Sequence, residues 1–565
     1  MAEATAVWRG IDPVRWLLAY DAVEAVGYGE ARARVARRVA WALIALFLLF
    51  GLAAVWFRWT DNKPTVASTG LVTAHRLVAL DWGGWFRENI WWRGKQTPAP
   101  LTYTVHGLFF TLFGYSVRGI LVLHAVTGAA LLAFLYRVTA RRAGPWAGAA
   151  AVAWCLGMPL FHYVTLSGWT FIWATMFLLL AVDLADRAAL TGRARWLLLA
   201  GIAVGCAGMS RPENYATALL FAALAPFAMR YRVAFLAIAF SWPTAQFFVN
   251  QVLHGADPGL RILDDARSAM GFAELFEEWL ARVRRAVLNR NFSTPLQWLL
   301  LPAILAFGLP RHRLLAGIAL YFWVAFFAAY AMRRISFNHE GYYFAHVVLA
   351  MPFLGALTVW AAGRVRAMLQ RAGMAPARAA AVALVVVAAA FCVERVTLGS
   401  AWKERVFYRV PAPVRALRDA LQGQLGPGDA IMLDYFPEVS WLLAEIEGPG
   451  GRNAYYYNVA VTGTPRPRVN AARKDLTDEE ILPVNRWVAE NLDRWFEHNV
   501  PRYLVMLAPD VWEREMGRKR AMGHYRMFGL RAAAPYAATA AAWAGGDVGE
   551  VMFENEDFRI VALDE

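Results

Sequence analysis

The sequence predicts a polytopic α-helical membrane protein of about 11 spans, followed by a soluble α/β domain. Three observations lead there. The chain of 565 residues is 59% hydrophobic, with 25 Trp and 34 Phe, too apolar for a soluble protein of this length. Apolar runs of about 17–20 residues, long enough to cross a hydrocarbon core, recur from Val39 to Val393. Beyond Tyr408 hydropathy falls and short strand-like runs alternate with helical periodicity.

The runs follow one another as Val39–Phe57, Ile120–Tyr136, Trp146–Tyr163, Phe171–Leu184, Trp196–Met209, Tyr215–Met229, Val233–Val249, Leu296–Phe307, Leu315–Met332, Phe344–Ala362 and Ala379–Val393. Arginines order them. Arg32, Arg34, Arg37 and Arg38 precede the first run, and Arg137, Arg141 and Arg142 follow the second. Arg187, Arg193 and Arg195 follow the fourth, Arg230 and Arg232 the sixth, Arg311 and Arg313 the eighth, and Arg364, Arg366 and Arg371 the tenth. Every even-numbered exit is basic, which by the positive-inside rule makes those segments and the N-terminus cytoplasmic. An odd span count then puts the C-terminal part outside. Most of the net charge of +14 is this asymmetry and gives little ground for nucleic-acid binding.

Three units are expected: a cytoplasmic N-terminal segment over 1–38, a membrane domain over 39–397 with its first external loop at 58–117, and an extracytoplasmic α/β domain over 398–565. The N-terminal segment is partly amphipathic and lies along the inner face. In the last unit Val414–Leu421 reads as a helix, and Ala430–Asp434, Tyr503–Leu507 and Arg559–Leu563 as strands. Pro437–Leu443 and Ile481–Asn499 carry helical periodicity. Ala273–Asn289 has one apolar and one charged face, as an amphipathic helix on the outer interface does.

Chemistry is expected at the outer ends of the spans. The loop at 58–117 is far longer than a connector needs to be and holds Trp59, Trp82, Trp85, Trp91 and Trp92. Its acids Asp61, Asp81 and Glu88 are candidates to accept a proton from an attacking hydroxyl, with helix capping or a solvated turn as the structural alternative. Arg76, Arg87, Arg93, Arg211, Arg333 and Arg334 fall outside, against the usual bias. A guanidinium fork matches phosphate oxygens, so these arginines suit a lipid-phosphate headgroup; snorkelling, or pairing with Glu213, Glu88 and Glu340, is the plainer use. The aromatics, including Tyr103, Tyr342 and Tyr343, serve either sugar stacking or interfacial anchoring. No nucleotide-binding Gly-rich loop, HExxH, GxSxG or Cys–His metal spacing occurs, and Cys155, Cys206 and Cys392 sit apart in apolar runs.

These residues carry a resemblance. Asp61, then Asp81-Trp82, the stretch GlyLysGlnThrProAlaProLeuThrTyr at 94–103, LeuPheGlyTyrSer at 112–116, GlyMetSerArgProGluAsn at 208–214, and Arg333-Arg334 followed by Tyr342-Tyr343 and Met351-Pro352 are similar to motifs of the GT-C superfamily of polyprenyl-phosphate-sugar glycosyltransferases. The protein mannosyltransferases and bacterial aminoarabinose transferases are the nearest branch. The resemblance implies a GT-C-like membrane domain in a bacterial inner membrane. It also implies an inverting sugar transfer from a polyprenyl-phosphate donor to a hydroxyl of a glycan, lipid or protein at the outer face, among membrane lipids and without nucleic acid. On that reading Asp61 or Asp81 is the base, and Arg211, Arg333, Arg334 and Lys95 face the donor phosphate. Glu88, Trp82, Tyr103, Glu213, His339 and Tyr342 line the substrate cavity. The chain departs from the family in reading Asp61-Asn62 where Asp-Glu is usual, and in lacking an acid in the second external loop (HYVTLSGWT). A divalent metal is used by only some branches, and no acidic pair here demands one. Two rivals stand beside this reading: a transporter or flippase of lipid-linked sugars, which would favour an internal repeat and charges at mid-span, and a non-catalytic assembly protein that keeps the fold.

Overall fold

The computed structural model describes residues 30–57, 100–113, 117–166, 168–224, 227–245, scattered positions of 273–284, then 299–308, 312–326, 328, 343–397, 412–421, 430–433, 452–455, 501–507, 549–556 and 558–563. Helical structure occupies every apolar run of the sequence wherever it is described. The helices are α1 (Glu30–Trp56), α2 (Pro100–Phe113), α3 (Val117–Ala143), α4 (Pro145–Leu156), α5 (Pro159–Leu166), α6 (Phe171–Thr191), α7 (Ala194–Ser210), α8 (Thr217–Leu224) and α9 (Met229–Ala239). They continue with α10 (Leu300–Ala303), α11 (Arg313–Tyr321), α12 (Phe344–Val348), α13 (Met351–Arg371), α14 (Pro376–Thr397) and α15 (Ala412–Leu421).

By length and composition, four helices among the described residues can cross a membrane: those within Glu30–Trp56, Arg118–Ala143, Phe344–Arg371 and Pro376–Val393. A fifth crossing follows if α4 and α5 count as one broken span. The sequence expectation was about 11. Part of the difference is physical. The run Trp146–Tyr163, which reads as a single straight span, bends by 70° at Gly157-Met158-Pro159. Proline cannot donate into the preceding turn, so it starts a new helix instead. His162 stabilises the break: its Nε2 donates to the Leu156 carbonyl oxygen at 2.7 Å, and its ring packs on Phe47 and Phe50 of α1. Of Tyr215–Met229, the first two residues close a 3-10 turn at Pro212–Ala216 and the helix that follows, α8, ends at Leu224, too short for a span. α6 carries Asp183, Asp186 and Arg187 near its end, which makes it too charged to pass as a simple span.

One large core joins these helices, with Phe47 of α1, Leu131 and Leu135 of α3, Trp154 of α4, Leu178 and Val182 of α6, Phe221 of α8 and Phe353 of α13 all buried in it. Close backbone approach is needed where α4 crosses α13: a Cβ on Gly355 would stand 2.3 Å from the Ala147 carbonyl oxygen. Gly192 ends α6 in the left-handed conformation at φ 63°, which costs glycine no Cβ clash.

In the C-terminal part, β1 (Ala430–Leu433), β2 (Arg452–Tyr455), β3 (Pro501–Leu507), β4 (Gly549–Glu554) and β5 (Phe558–Leu563) form a sheet ordered β2-β1-β3-β5-β4. β1 pairs parallel with β2 and β3, and β5 pairs antiparallel with β3 and β4. The strands expected at 430–434, 503–507 and 559–563 and the helix at 414–421 are present in this sheet and in α15. The helices expected at 437–443 and 481–499 lie outside the described residues. Within 273–289 the described positions are helical, and Trp279 Nε1 donates to the Trp323 carbonyl oxygen at 3.2 Å.

Candidate functional site

Arg211 is set by a corner built from its own sequence. α7 ends at Ser210, and Pro212 restricts the residue before it to extended backbone, so Arg211 takes φ −156°, ψ 111°. The 3-10 turn Pro212–Ala216 then reverses the chain. Asn214 Nδ2 donates back to the Arg211 carbonyl oxygen at 2.9 Å. Tyr215 folds over Gly208, where a Cβ would lie 2.2 Å from the tyrosine ring. Tyr321 of α11 donates its hydroxyl to the Glu213 carbonyl oxygen at 2.8 Å. The corner is therefore tied to α7 and α11 at once.

The guanidinium is nearly out of solvent. Its Nε donates to Glu213 Oε1 at 2.8 Å, with the two side chains 12% and 11% exposed. Its Cζ stands 4.2 Å from the centre of the Phe171 ring, at the first turn of α6. A cation over an aromatic face gains from the ring quadrupole most when desolvated. Near it stands Tyr103 of α2, whose hydroxyl is pushed up to about 12 by burial while the Arg211 cation pulls the other way. Tyr103 therefore stays a neutral phenol at physiological pH.

One helical turn beyond Tyr103, a second buried polar contact fixes α2 to the bundle. His106 and His124 of α3 place their Nε2 atoms 2.8 Å apart, both residues fully buried. Trp173 of α6 points its Nε1–H at the same His124 nitrogen from 3.5 Å. An indole nitrogen only donates, so His124 Nε2 is the acceptor and His106 Nε2–H the donor. Sequence reasoning missed this pair. Its only trace is one histidine in each of two apolar helices, a pattern that buried core histidines also give.

Of the twelve residues expected at the site, the structure brings together Tyr103, Arg211 and Glu213. Asp61, Asp81, Trp82, Glu88, Lys95, Arg333, Arg334, His339 and Tyr342 lie outside the described residues. Among the described residues no group of three or more His, Cys, Asp or Glu is placed to hold a metal ion.

The opposite ends of α3 and α6 carry a different cluster. Asp183 and Asp186, both buried, take Arg137, Arg141, Arg142 and Arg187. It lies about 18 Å along α6 from Phe171, at 1.5 Å rise per residue. The arginines were expected at these exits; the two aspartates that hold them were not.

The described residues thus form a helical bundle with broken helices, four of them long and apolar enough to cross a membrane, and a desolvated arginine–glutamate corner beside a loop helix. The comparisons agree at the level of the fold. Residues 97–244, which include Tyr103, Phe171, Arg211 and Glu213, match the family described as dolichyl-phosphate-mannose-protein mannosyltransferase. ArnT from Cupriavidus metallidurans, in the structure bound to undecaprenyl phosphate, superposes with a TM-score of 0.50 at 15% identity, over 92% of this chain and 97% of that one. The apo oligosaccharyltransferase of Archaeoglobus fulgidus gives 0.48 at 14% identity, over 86% and 71%. The arabinofuranosyltransferase AftD from Mycobacteria gives 0.40 at 14%, over 86% and 35%. No curated protein matches the chain by sequence. The resemblance to polyprenyl-phosphate-sugar glycosyltransferases read from the sequence motifs is thereby borne out.

Proposed function

We propose that the protein moves a sugar from a polyprenyl-phosphate donor to an acceptor hydroxyl at the outer face of the membrane, with inversion. The observation that carries this is the Arg211 corner. A buried cation is costly unless paired, and here Glu213 engages Nε and Phe171 covers one face. The corner lies beside Tyr103, whose helix follows the long acidic loop in sequence, and this supports the reading that the acids of the loop serve the same site. The family match over the same residues and the ArnT-like fold support the lipid-phosphate donor.

The step is a single displacement. The acceptor oxygen attacks the anomeric carbon as its proton passes to the carboxylate of Asp61 or Asp81. The bond from the anomeric carbon to the phosphate oxygen breaks, and its electron pair stays on that oxygen. Arg211, joined by Arg333, Arg334 and Lys95, stabilises the charge that develops there. Attack opposite the leaving group inverts the centre. Glu88, Trp82, His339 and Tyr342 complete the cavity. A neutral Tyr103 supplies a hydroxyl beside the phosphate without adding charge.

Asp61→Asn and Asp81→Asn, each made alone and assayed in membranes with a polyprenyl-linked sugar, test the base. The residue that takes the proton loses about 10²–10⁴-fold in turnover. Full transfer by both variants removes the general-base mechanism.

A further inference from the structure

The cluster at the other ends of α3 and α6 has an arrangement that ion pairing alone does not require. Asp183 is 1% exposed and receives three guanidinium groups. Arg141 takes Oδ1 at 2.8 Å and adds a bond to the Asp183 carbonyl oxygen at 3.1 Å. Arg137 through one terminal nitrogen and Arg187 through Nε both reach Oδ2, at 3.1 and 3.2 Å. Arg142 is buried against Asp186. Four guanidinium groups thus face two carboxylates, which leaves a formal excess of two positive charges.

Exposure separates the four. Arg142 is 3% exposed and belongs to the fold, whereas Arg137 and Arg187 are 36% and 33% exposed. Each of these two spends a single nitrogen on Asp183, and a guanidinium carries five N–H donors. Sharing one carboxylate oxygen holds their forks together, within reach of one phosphate. Arg187 also stacks over Trp196, 5.4 Å from the ring centre, with Arg195 over the same ring at 5.0 Å. Further along α7, on the side away from the helix ends, the surface turns apolar: Leu199 is 42% exposed and Ile202 51% exposed. Arginine forks at a helix end with an aromatic and exposed aliphatic side chains on the membrane side match a headgroup above its acyl chains.

We propose that Arg137 and Arg187, held on Asp183, form a binding site for the phosphodiester of an anionic phospholipid. The excess charge selects an anion, the paired forks select phosphate over a diffuse counterion cloud, and Leu199 and Ile202 select a lipid over a soluble phosphate. The site is separate from the Arg211 corner and does not rest on the glycosyl-transfer reading.

Native mass spectrometry of the full-length protein in detergent, titrated with phosphatidylglycerol or phosphatidylcholine, tests this. Arg137→Gln/Arg187→Gln is compared with Arg32→Gln/Arg34→Gln, which removes the same charge from exposed positions of α1. Tighter binding of the first phosphatidylglycerol than of phosphatidylcholine is expected. The first pair of substitutions should weaken it about 10- to 30-fold and the second less than about 3-fold. Equal weakening by both pairs, no preference for phosphatidylglycerol, or its displacement by an equimolar amount of inorganic phosphate would each overturn the proposal. If the double variant does not fold, Arg137→Lys keeps the charge and loses the fork. It should weaken binding about 3-fold or more, and unchanged binding overturns the proposal equally.

Discussion

Replacing His124 by Leu should destabilise the protein more than replacing His106, although the two histidines share one hydrogen bond. His124 Nε2 accepts from His106 at 2.8 Å and faces the Trp173 indole at 3.5 Å. Leucine at 124 removes the acceptor that both donors point at, inside a contact that is fully buried. A buried donor deprived of its partner costs about 1–3 kcal/mol, so about 2 kcal/mol is expected. Leucine at 106 leaves His124 with Trp173 still aimed at it, for a smaller cost of about 1 kcal/mol. With both replaced, the two imidazoles leave together, two apolar side chains of similar size meet, and only the Trp173 N–H has lost its acceptor. The double variant should then lose about 1–2 kcal/mol, below the sum of the single losses by about 1 kcal/mol or more. The assay is reversible unfolding in mixed micelles with rising SDS, followed by tryptophan fluorescence. Additive losses, or a larger loss for His106→Leu than for His124→Leu, would refute both the pairing and its donor–acceptor assignment.

Two further outcomes follow from the same geometry. Asp186→Leu removes the carboxylate facing the buried Arg142 and should cost about 3–5 kcal/mol in the same unfolding assay, whereas Asp186→Glu should cost less. Because the folded protein holds the Tyr103 hydroxyl at about 12, above its ordinary value near 10, the unfolded chain ionises first. Stability from this group is complete below about pH 10 and is lost as pH rises toward 12; Tyr103→Phe should remove that part of the alkaline decline without altering the pH profile of activity near neutrality.

How much was legible in the sequence follows from where side-chain patterns face one environment. The long apolar helices α1, α3, α13 and α14 were readable because each carries an uninterrupted apolar run long enough to cross a membrane. The break after Gly157 was not, because hydropathy is blind to direction: a run can stay apolar while the chain turns. In the sheet, the strands at 430, 503 and 559 were found, and those at 452 and 549 were missed. The missed strands, β2 and β4, are the two edges, and edge strands face solvent on one flank and need no sustained apolar run. β2 reads RNAY, with little to separate it from a loop. At the site, Arg211 stood out because a charge after an apolar run is unusual, and Glu213 because it is adjacent. Asp183 and Asp186 were hidden inside a helix whose apolar average swamped them, and Arg141 and Arg142, which hold them to α3, lie more than 40 positions away. The His106–His124 contact was invisible for the same reason. Burial and pairing are properties of two segments at once, and a pass along one chain sees them one at a time.

The central claim is that Arg211 stabilises the phosphate that leaves when the sugar is transferred. Its most direct test is the rate of polyprenyl-phosphate release from a polyprenyl-phosphate-sugar donor in the presence of an acceptor hydroxyl, measured in a single turnover with purified protein in excess over donor, with Arg211→Gln beside wild type and folding checked by the SDS unfolding midpoint. The account predicts a fall of about 10²–10³-fold for Arg211→Gln, the size of losing one transition-state charge contact. A rate within about 3-fold of wild type in folded Arg211→Gln protein would contradict it.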